Sequence, residues 1–365
     1  MRLREYVMAS NANLGAAKRA KNDEFYTRWE DIEAEMNAYV GFNRDVFRDK
    51  TVLLPCDDPE WSQFTRYFAA NFEWFGLKKL ISTSYAKGAG NRRTTDFERG
   101  GAAYDEAKHA EHGKVFTLER GEGPVDIDHL TYEYLDGDGD FRSDEVRALR
   151  DEADVIVTNG PFSMFREFLA WILEGGKQFS IIGNVNAITY KEVFPLLKNN
   201  EIWLGSSIHS GDRPFFVPDD YPLEAAGCGV DEKGRRYIRV KGVRWFTNLD
   251  CAQRHETLQL DTMANNLRFN KKLKRTLEKK YGFRDHYPHY DNYDAIEVPF
   301  VECIPSDYDG VMGVPITFLD RYNPEQFEII GLDRYTVPKQ YLVGGRVAID
   351  GKPTYARILI RPIKH

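Results

Sequence analysis

The sequence predicts an α/β protein built on a parallel, doubly wound sheet. Short apolar runs recur without polar alternation at Thr51–Leu54, Val155–Thr158 and Phe179–Ile182, as strands buried on both faces require. Helical patterns follow them at Trp61–Asn71, Phe165–Leu173 and Lys191–Lys198. Strands that alternate with helices at this spacing form crossover units, and such units make parallel sheets. The 365 residues, 42% hydrophobic and 29% charged, suffice for one full core with an inserted or appended recognition region.

Taken in order, residues 1–20 read as a loosely ordered arm. Lys21-Asn22-Asp23-Glu24-Phe25-Tyr26-Thr27 leads into a helix over Trp29–Tyr39, and polar groups at such a helix start can cradle a small polar ligand. The first strand, Thr51–Leu54, ends in Pro55-Cys56-Asp57-Asp58-Pro59, whose acidic side chains can hold an ammonium group. Leu77–Thr83 is the second strand. Ser82, Thr83 and Ser84 stand at its end, where a ribose-binding acid is usual. Val115–Leu118 forms one arm of a hairpin, and Leu130–Leu135 is a further strand closed by Asp136-Gly-Asp-Gly-Asp140-Phe141. An Asp-Phe pair there can hydrogen-bond an adenine amino group and cover its ring. The alternating Asp and Gly are not a calcium loop, because the twelfth position counted from Asp136 is Arg147.

Asp154–Ser163 is the centre of the chain. Val155-Ile156-Val157-Thr158 is β-branched throughout and stops at Asn159-Gly160-Pro161-Phe162, just before a helix. That places an amide and an aromatic at the carboxyl edge of the sheet, where open α/β folds bind ligands. The amino group of a nucleobase is a poor nucleophile, since its lone pair is delocalised into the ring. A side-chain amide oxygen and a backbone carbonyl that accept its two N–H bonds draw the nitrogen toward tetrahedral geometry. An aromatic at position 162 stacks on a base turned out of the duplex. The turn resembles the (Asp/Asn)-Pro-Pro-(Tyr/Phe) motif of amino-methyltransferases that use S-adenosylmethionine, with Gly160 in place of the first proline. The carbonyl survives that change and the turn loses stiffness. If the glycine lowers activity, restoring proline at 160 is expected to raise the rate.

Beyond the centre, Phe179–Ile182 and Glu201–Leu204 continue the strands, and Arg244–Asn248 reads as the last strand of the main sheet. From Gly205 to about Pro299, aromatic and charged residues mix. Lys233, Arg235, Arg236, Arg239, Lys241 and Arg244 are interleaved with Tyr237 and Trp245, which suits nucleic acid. Lys271, Lys272, Lys274, Arg275, Lys279 and Lys280 fall on a helix and read as a solvated face. The net charge of -7 does not exclude a nucleic-acid partner, because only the contact groove must be positive. Four scattered cysteines without a Cys-x-x-Cys pair suggest a reducing compartment and no structural metal, and Cys56 reads as loop packing. No apolar run reaches the ~20 residues needed to span a bilayer, and residues 1–24 lack the apolar core of a signal peptide. A cytoplasmic protein without membrane contact is expected.

Four stretches in order carry a resemblance to the EcoRI-type adenine-specific DNA methyltransferase family over most of the chain. They are Lys21–Thr27, Thr158–Ser163, Ile182-Gly-Asn-Val-Asn-Ala-Ile-Thr-Tyr-Lys-Glu192 and Asp309-Gly-Val-Met-Gly-Val-Pro-Ile-Thr-Phe318. The resemblance implies a Rossmann-like, seven-stranded methyltransferase sheet with a C-terminal target-recognition region. It divides the chain into a cofactor-binding core over 1–204, a recognition region over 205–300 that includes a returning core strand near 243–249, and an extension over 301–365. It implies S-adenosyl-L-methionine as donor, double-stranded DNA as partner and N6 of adenine as acceptor. Phe25 and Tyr26 would line the cofactor, with Pro55, Cys56 and Asp57 on its methionine side and Asp140 and Phe141 on its adenine side. Asn159, Gly160, Pro161 and Phe162 would form the catalytic turn, with Asn159 also near the cofactor. Arg235, Arg236, Arg239 and Lys241 are the candidate DNA contacts, and the sequence leaves the oligomeric state open, a monomer being one option. The same turn chemistry serves N4 of cytosine or a protein amide, and a weakly active or inactive DNA- or cofactor-binding protein is the rival of another class.

Overall fold

The computed structural model describes residues 27–86, 99–101, 103–123, 125–209, 212–217, 223, 227–283 and 285–364. Lys21–Tyr26, including Phe25 and Tyr26, lie outside the described residues. Two compact units form, one of residues 1–185 with 205–250 and the other of residues 186–204 with 251–365. In chain order the first strands are β1 (Thr51–Leu54), β2 (Lys79–Thr83), β3 (Lys114–Glu119), β4 (Glu133–Tyr134), β5 (Val155–Thr158) and β6 (Gln178–Asn184). They are followed by β7 (Trp203–Leu204), β8 (Asp212–Phe216), β9 (Gly229–Val230), β10 (Arg236–Lys241) and β11 (Val243–Thr247).

In the first unit the large sheet runs β4-β3-β2-β1-β5-β6-β11. β2, β1, β5 and β6 are parallel, and every residue of β1 and β5 is buried, as their unbroken apolar runs demand. On both sides of that parallel centre the sheet is mixed: β3 runs antiparallel to β2, in keeping with the hairpin arm expected at Val115–Leu118, and β11 runs antiparallel to β6. β11 has no choice of direction. The chain reaches it at the carboxyl edge of β6, straight from β10 through Gly242, whose φ of 71° is open to glycine. There Val185 N donates to Gly242 O at 2.6 Å and Asn184 Nδ2 to Lys241 O at 3.0 Å. The strand expected over Leu130–Leu135 shrinks to Glu133–Tyr134.

The helix Trp29–Phe42 buries Ile32, Met36 and Tyr39, and Trp29 meets Tyr67 of the helix Gln63–Ala70 edge-on at 5.1 Å. Its Glu35 is fully buried and accepts hydrogen bonds from Tyr39 Oη (2.5 Å), Ser206 N (3.0 Å) and Ser207 N (2.8 Å). Burial raises that carboxyl, and these partners oppose the rise. Tyr39 also bonds Ser180 on β6 at 3.0 Å, so the helix is tied to the sheet by a satisfied polar network. A smaller antiparallel sheet, β8-β10-β9, rises from the carboxyl edge of β6 through Gly242.

The second unit holds β7 and a sheet of β12 (Ile296–Glu297), β13 (Met312–Pro315), β14 (Phe327–Leu332) and β15 (Arg357–Pro362), in the order β12-β13-β15-β14. Tyr290, Ala295, Val337, Val347, Ile349 and Leu359 pack its core. Glu297, with no exposed surface, takes two bonds from Arg357 (2.8 and 2.6 Å) and one from Tyr290 Oη (2.5 Å). The basic helix Lys271–Tyr281 buries Leu273 and Leu277 and leaves most of its cations to solvent, as its sequence implied. No helix among the described residues is long and apolar enough to cross a membrane.

Candidate active site

β1 and β5 are neighbours in register, Val52 beside Val155 and Leu53 beside Ile156, so the segments after them emerge side by side. Asp57 joins them. Its carboxylate accepts Ser62 Oγ and Thr158 Oγ1, each at 2.6 Å, and its backbone N donates to Thr83 O at 2.8 Å. Thr83 Oγ1 in turn donates to Pro55 O at 3.1 Å. Asp57 thus links the end of β1 to the end of β2 through its backbone and to the residue before Asn159 through its carboxylate. Burial drives the Asp57 carboxyl up to about 7, against the two hydroxyl bonds that lower it, and Asp58 adds to the rise. The Cys56 thiol is pushed up first by burial and then by Asp57 and Asp140, which suits packing and not nucleophilic attack.

The acidic character extends sideways. Lys114, at the start of β3, sits buried between Asp58 (3.2 Å) and Glu60 and lies 4.9 Å from the Tyr132 ring centroid. Sequence reading missed this triad, because Lys114 stands 54 residues from Glu60 and opens an ordinary strand. Only the return of β3 beside β2 brings them together. Asp140 is held by Arg142 through Nε (2.9 Å) and Nη2 (2.6 Å), which keeps it below the usual carboxylate range. Phe141 is 4% exposed and meets Phe168 edge-on at 5.1 Å and Trp171 at 5.7 Å, so its ring packs into the core.

Thr158 at the end of β5 is buried, as is Gly160 after it; Asn159 is half-buried with its Oδ1 shielded from solvent, and Pro161 leads into a short 3-10 turn over Phe162–Met164. Phe162 is half-buried. The helix Phe165–Glu174 follows, and its first turns explain the glycine. A Cβ on Gly160 would lie 2.6 and 2.7 Å from two ring carbons of Phe168. Phe165 sits in the same way over Gly183 of β6. The helix therefore docks two phenylalanines onto two glycines, one of them in the turn itself. Phe168 is 1% exposed and stacks on Trp171 at 5.6 Å, so it has no room to yield.

The basic stretch lies on the small sheet. Alternation along β10 buries Ile238 and Val240 and leaves Arg239 and Lys241 exposed with Tyr237 on the opposite face. Arg236 shares the side of Ile238, so it faces away from Arg239 and Lys241. Arg235, just before the strand, falls on the side of Arg239. The four sequence candidates are thus split by strand geometry that charge counting does not see.

Comparison with known proteins bears on this edge directly. The family described as "Adenine-specific methyltransferase EcoRI" matches residues 13–362. Type II methyltransferase M.EcoRI of Escherichia coli is 42% identical over 353 residues, covering 97% of both chains. Type II methyltransferase M.MpnI of Mycoplasma pneumoniae is 34% identical over 86% of this chain and 83% of its own. Type II methyltransferase M.MgeORF184P of Mycoplasma genitalium is 33% identical over 94% of this chain and 97% of its own. No solved structure matches the chain. With Asn159-Gly160-Pro161-Phe162 on the carboxyl edge beside an acid-rich loop, and with a match over nearly its whole length, the chain belongs to the EcoRI-type adenine-specific methyltransferase family.

Proposed function

We propose that this chain, a site-specific DNA adenine methyltransferase, works on N6 of an adenine turned out of duplex DNA, with S-adenosylmethionine as donor. The observation that carries the reading is the bond from Thr158 Oγ1 to Asp57, which couples the acidic loop after β1 to the turn that begins at Asn159. The donor supplies a methyl group on a sulfonium, already a good leaving group. A carboxyl raised to about 7 by burial gains from a nearby cation, so Asp57 fits the positively charged end of such a molecule. Pro55 and Cys56 would flank it, and Asp140 would face its adenine side, with Phe141 as backing for that loop. The seven-stranded methyltransferase arrangement is supported by the order of the first unit's strands, with β11 reversed.

Asn159 Oδ1 and the Gly160 carbonyl accept the two hydrogens of the target amino group, and Phe162 stacks on its ring. The nitrogen lone pair is then free to attack in line, and the proton leaves after transfer, when it has become acidic. No general base of tuned pKa is required, so the protein's contribution is positioning and hydrogen bonding. Pro161 fixes the backbone between the two contacts. Arg235, Arg239 and Lys241 are the DNA contacts on one side of the small sheet. The test is sequencing for N6-methyladenine in DNA from a methylation-free host that expresses the chain. Modification confined to one short motif is expected. Unmodified DNA from a host that makes soluble, donor-binding protein overturns the acceptor assignment.

A further inference from the structure

A cleft of about 260 Å³ opens beside β10 within the first unit, walled by Arg28, Trp29, Gln63, Phe216, Tyr237 and Arg239. Register places Phe216 beside Tyr237 and Pro214 beside Arg239, so the outward side of the small sheet forms its floor. Two flat surfaces in it are fixed in advance. Tyr237 lies against Gly229, where a Cβ would stand 2.9 Å from the tyrosine oxygen. The Arg235 guanidinium lies 3.9 Å from the Phe216 ring centroid and is held by Asp231 through Nε and Nη2, each at 2.8 Å. Arg28 is committed as well, with bonds of 2.9 and 3.1 Å to Asp31.

Arg239 differs from both. It is exposed, lines the cleft, and among the described residues makes no hydrogen bond or ion pair. Its five donors form a rigid planar fork, the shape that matches a guanine edge at O6 and N7. The surroundings favour a base over a phosphate. Asp231 is already neutralised by Arg235 and Arg28 is committed to Asp31, while the Tyr237 and Phe216 rings beside Arg239 offer flat apolar faces that suit a planar base. Lys241, two residues along the same face and exposed, is the better point charge for the backbone.

Resting on the methyltransferase reading above, we propose that Arg239 determines sequence specificity by donating to a guanine of the recognition site. Tyr237 and the Arg235–Phe216 stack hold that stretch of DNA in the cleft. The test uses the full chain, after the methylated motif of the wild type has been mapped in a methylation-free host. Anisotropy with labelled duplexes then measures discrimination at each guanine pair of the motif, with Arg239→Ala and Arg239→Lys as variants and calorimetry of S-adenosylmethionine as the control for folding. A loss of about 10- to 100-fold in discrimination at one guanine is expected. Discrimination at the other positions and donor affinity should be unchanged, and the motif methylated in cells should relax at that same guanine. The proposal is overturned by unchanged discrimination, by equal weakening on every duplex, which marks a phosphate contact, or by a motif without guanine. A wild type that methylates no DNA defeats the methyltransferase reading itself, and that outcome is seen before any variant is made.

Discussion

Replacing Gly160 by proline tests why this turn departs from the usual Pro-Pro form. Read from sequence, the substitution restores stiffness and raises the rate if the glycine lowers activity. The packing predicts the opposite. Proline adds a Cβ, which would stand 2.6 and 2.7 Å from carbons of the Phe168 ring, well inside van der Waals contact. Phe168 cannot swing aside, because Phe141 meets it edge-on at 5.1 Å and Trp171 stacks on it at 5.6 Å. Overpacking of this kind costs about 1–3 kcal/mol. Relief must come from the turn, which would shift Asn159 and the carbonyl of residue 160, and small misplacements of reacting groups cost rate steeply. Gly160→Pro is therefore expected to lower both stability and turnover.

The assay is a double-mutant cycle by urea denaturation, with methyl transfer measured in parallel. Phe168→Leu alone leaves a cavity and destabilises by about 1 kcal/mol or more. Combined with Gly160→Pro it makes room for the new ring, so the pair should be more stable than the sum of the singles by about 0.5–3 kcal/mol. Strict additivity, or a Gly160→Pro protein as stable and active as the wild type, would refute the claim that Phe168 excludes a side chain at 160.

Asn159→Ala removes one of the two acceptors for the target amino group, so methyl transfer should fall below detection in a tritiated-methyl assay while donor affinity stays within a few fold. Retention of most of the activity would dismiss the assignment of the turn. Asp57 predicts a pH dependence. Its carboxyl rises from an ordinary 3.8 to about 7 in the fold, so its contribution to stability is complete below about 3.8 and is lost as pH climbs through about 7. Urea midpoints of the wild type should fall across that window relative to Asp57→Asn, and parallel curves would exclude the shift. Donor binding near pH 6 should also release a proton, visible as a buffer-dependent calorimetric enthalpy. Lys114→Met strands Asp58 and Glu60, whose side chains are only 8% and 6% exposed, without their cation. Losing one partner of a buried ionic group costs about 3–5 kcal/mol, so an unchanged unfolding midpoint would contradict its role.

The central strands were legible because double burial leaves no polar residue to hide the pattern, as in Val155–Thr158. Beyond them, strand direction was legible only at Val115–Leu118, read as a hairpin arm; nothing in Val243–Thr247 encodes which way it runs, since that depends on the edge at which the chain arrives. The position of the Asn159 turn at the end of β5 was legible because the pattern that marks it is local. The Asp57–Thr158 bond spans 101 residues and the Lys114 triad more than 50, so neither leaves a trace in spacing. For Phe141 the motif suggested a place beside a ligand and gave no sign of its packing against Phe168 and Trp171. Arg236 was grouped with Arg239 by charge and separated from it by the two-residue period of a strand.

These misses bear on how the turn can work. Methyl transfer from a sulfonium needs little from the protein beyond two well-placed acceptors and a ring, so the rate depends on how firmly they are held. A turn with two prolines holds itself. This one has a glycine at 160, and its firmness must come from outside the loop. Asp57 supplies part of it by fixing Thr158 directly before Asn159, and Phe168 supplies the rest by closing on Gly160 from behind. Both supports are buried, and Phe168 acts through packing alone. A glycine that would be a defect in an isolated loop becomes a requirement once the helix Phe165–Glu174 packs against it. Activity in this chain should then follow the packing of Phe168 more closely than the residue at 160, and Phe168→Leu alone should slow transfer while leaving Asn159, Pro161 and Phe162 in place.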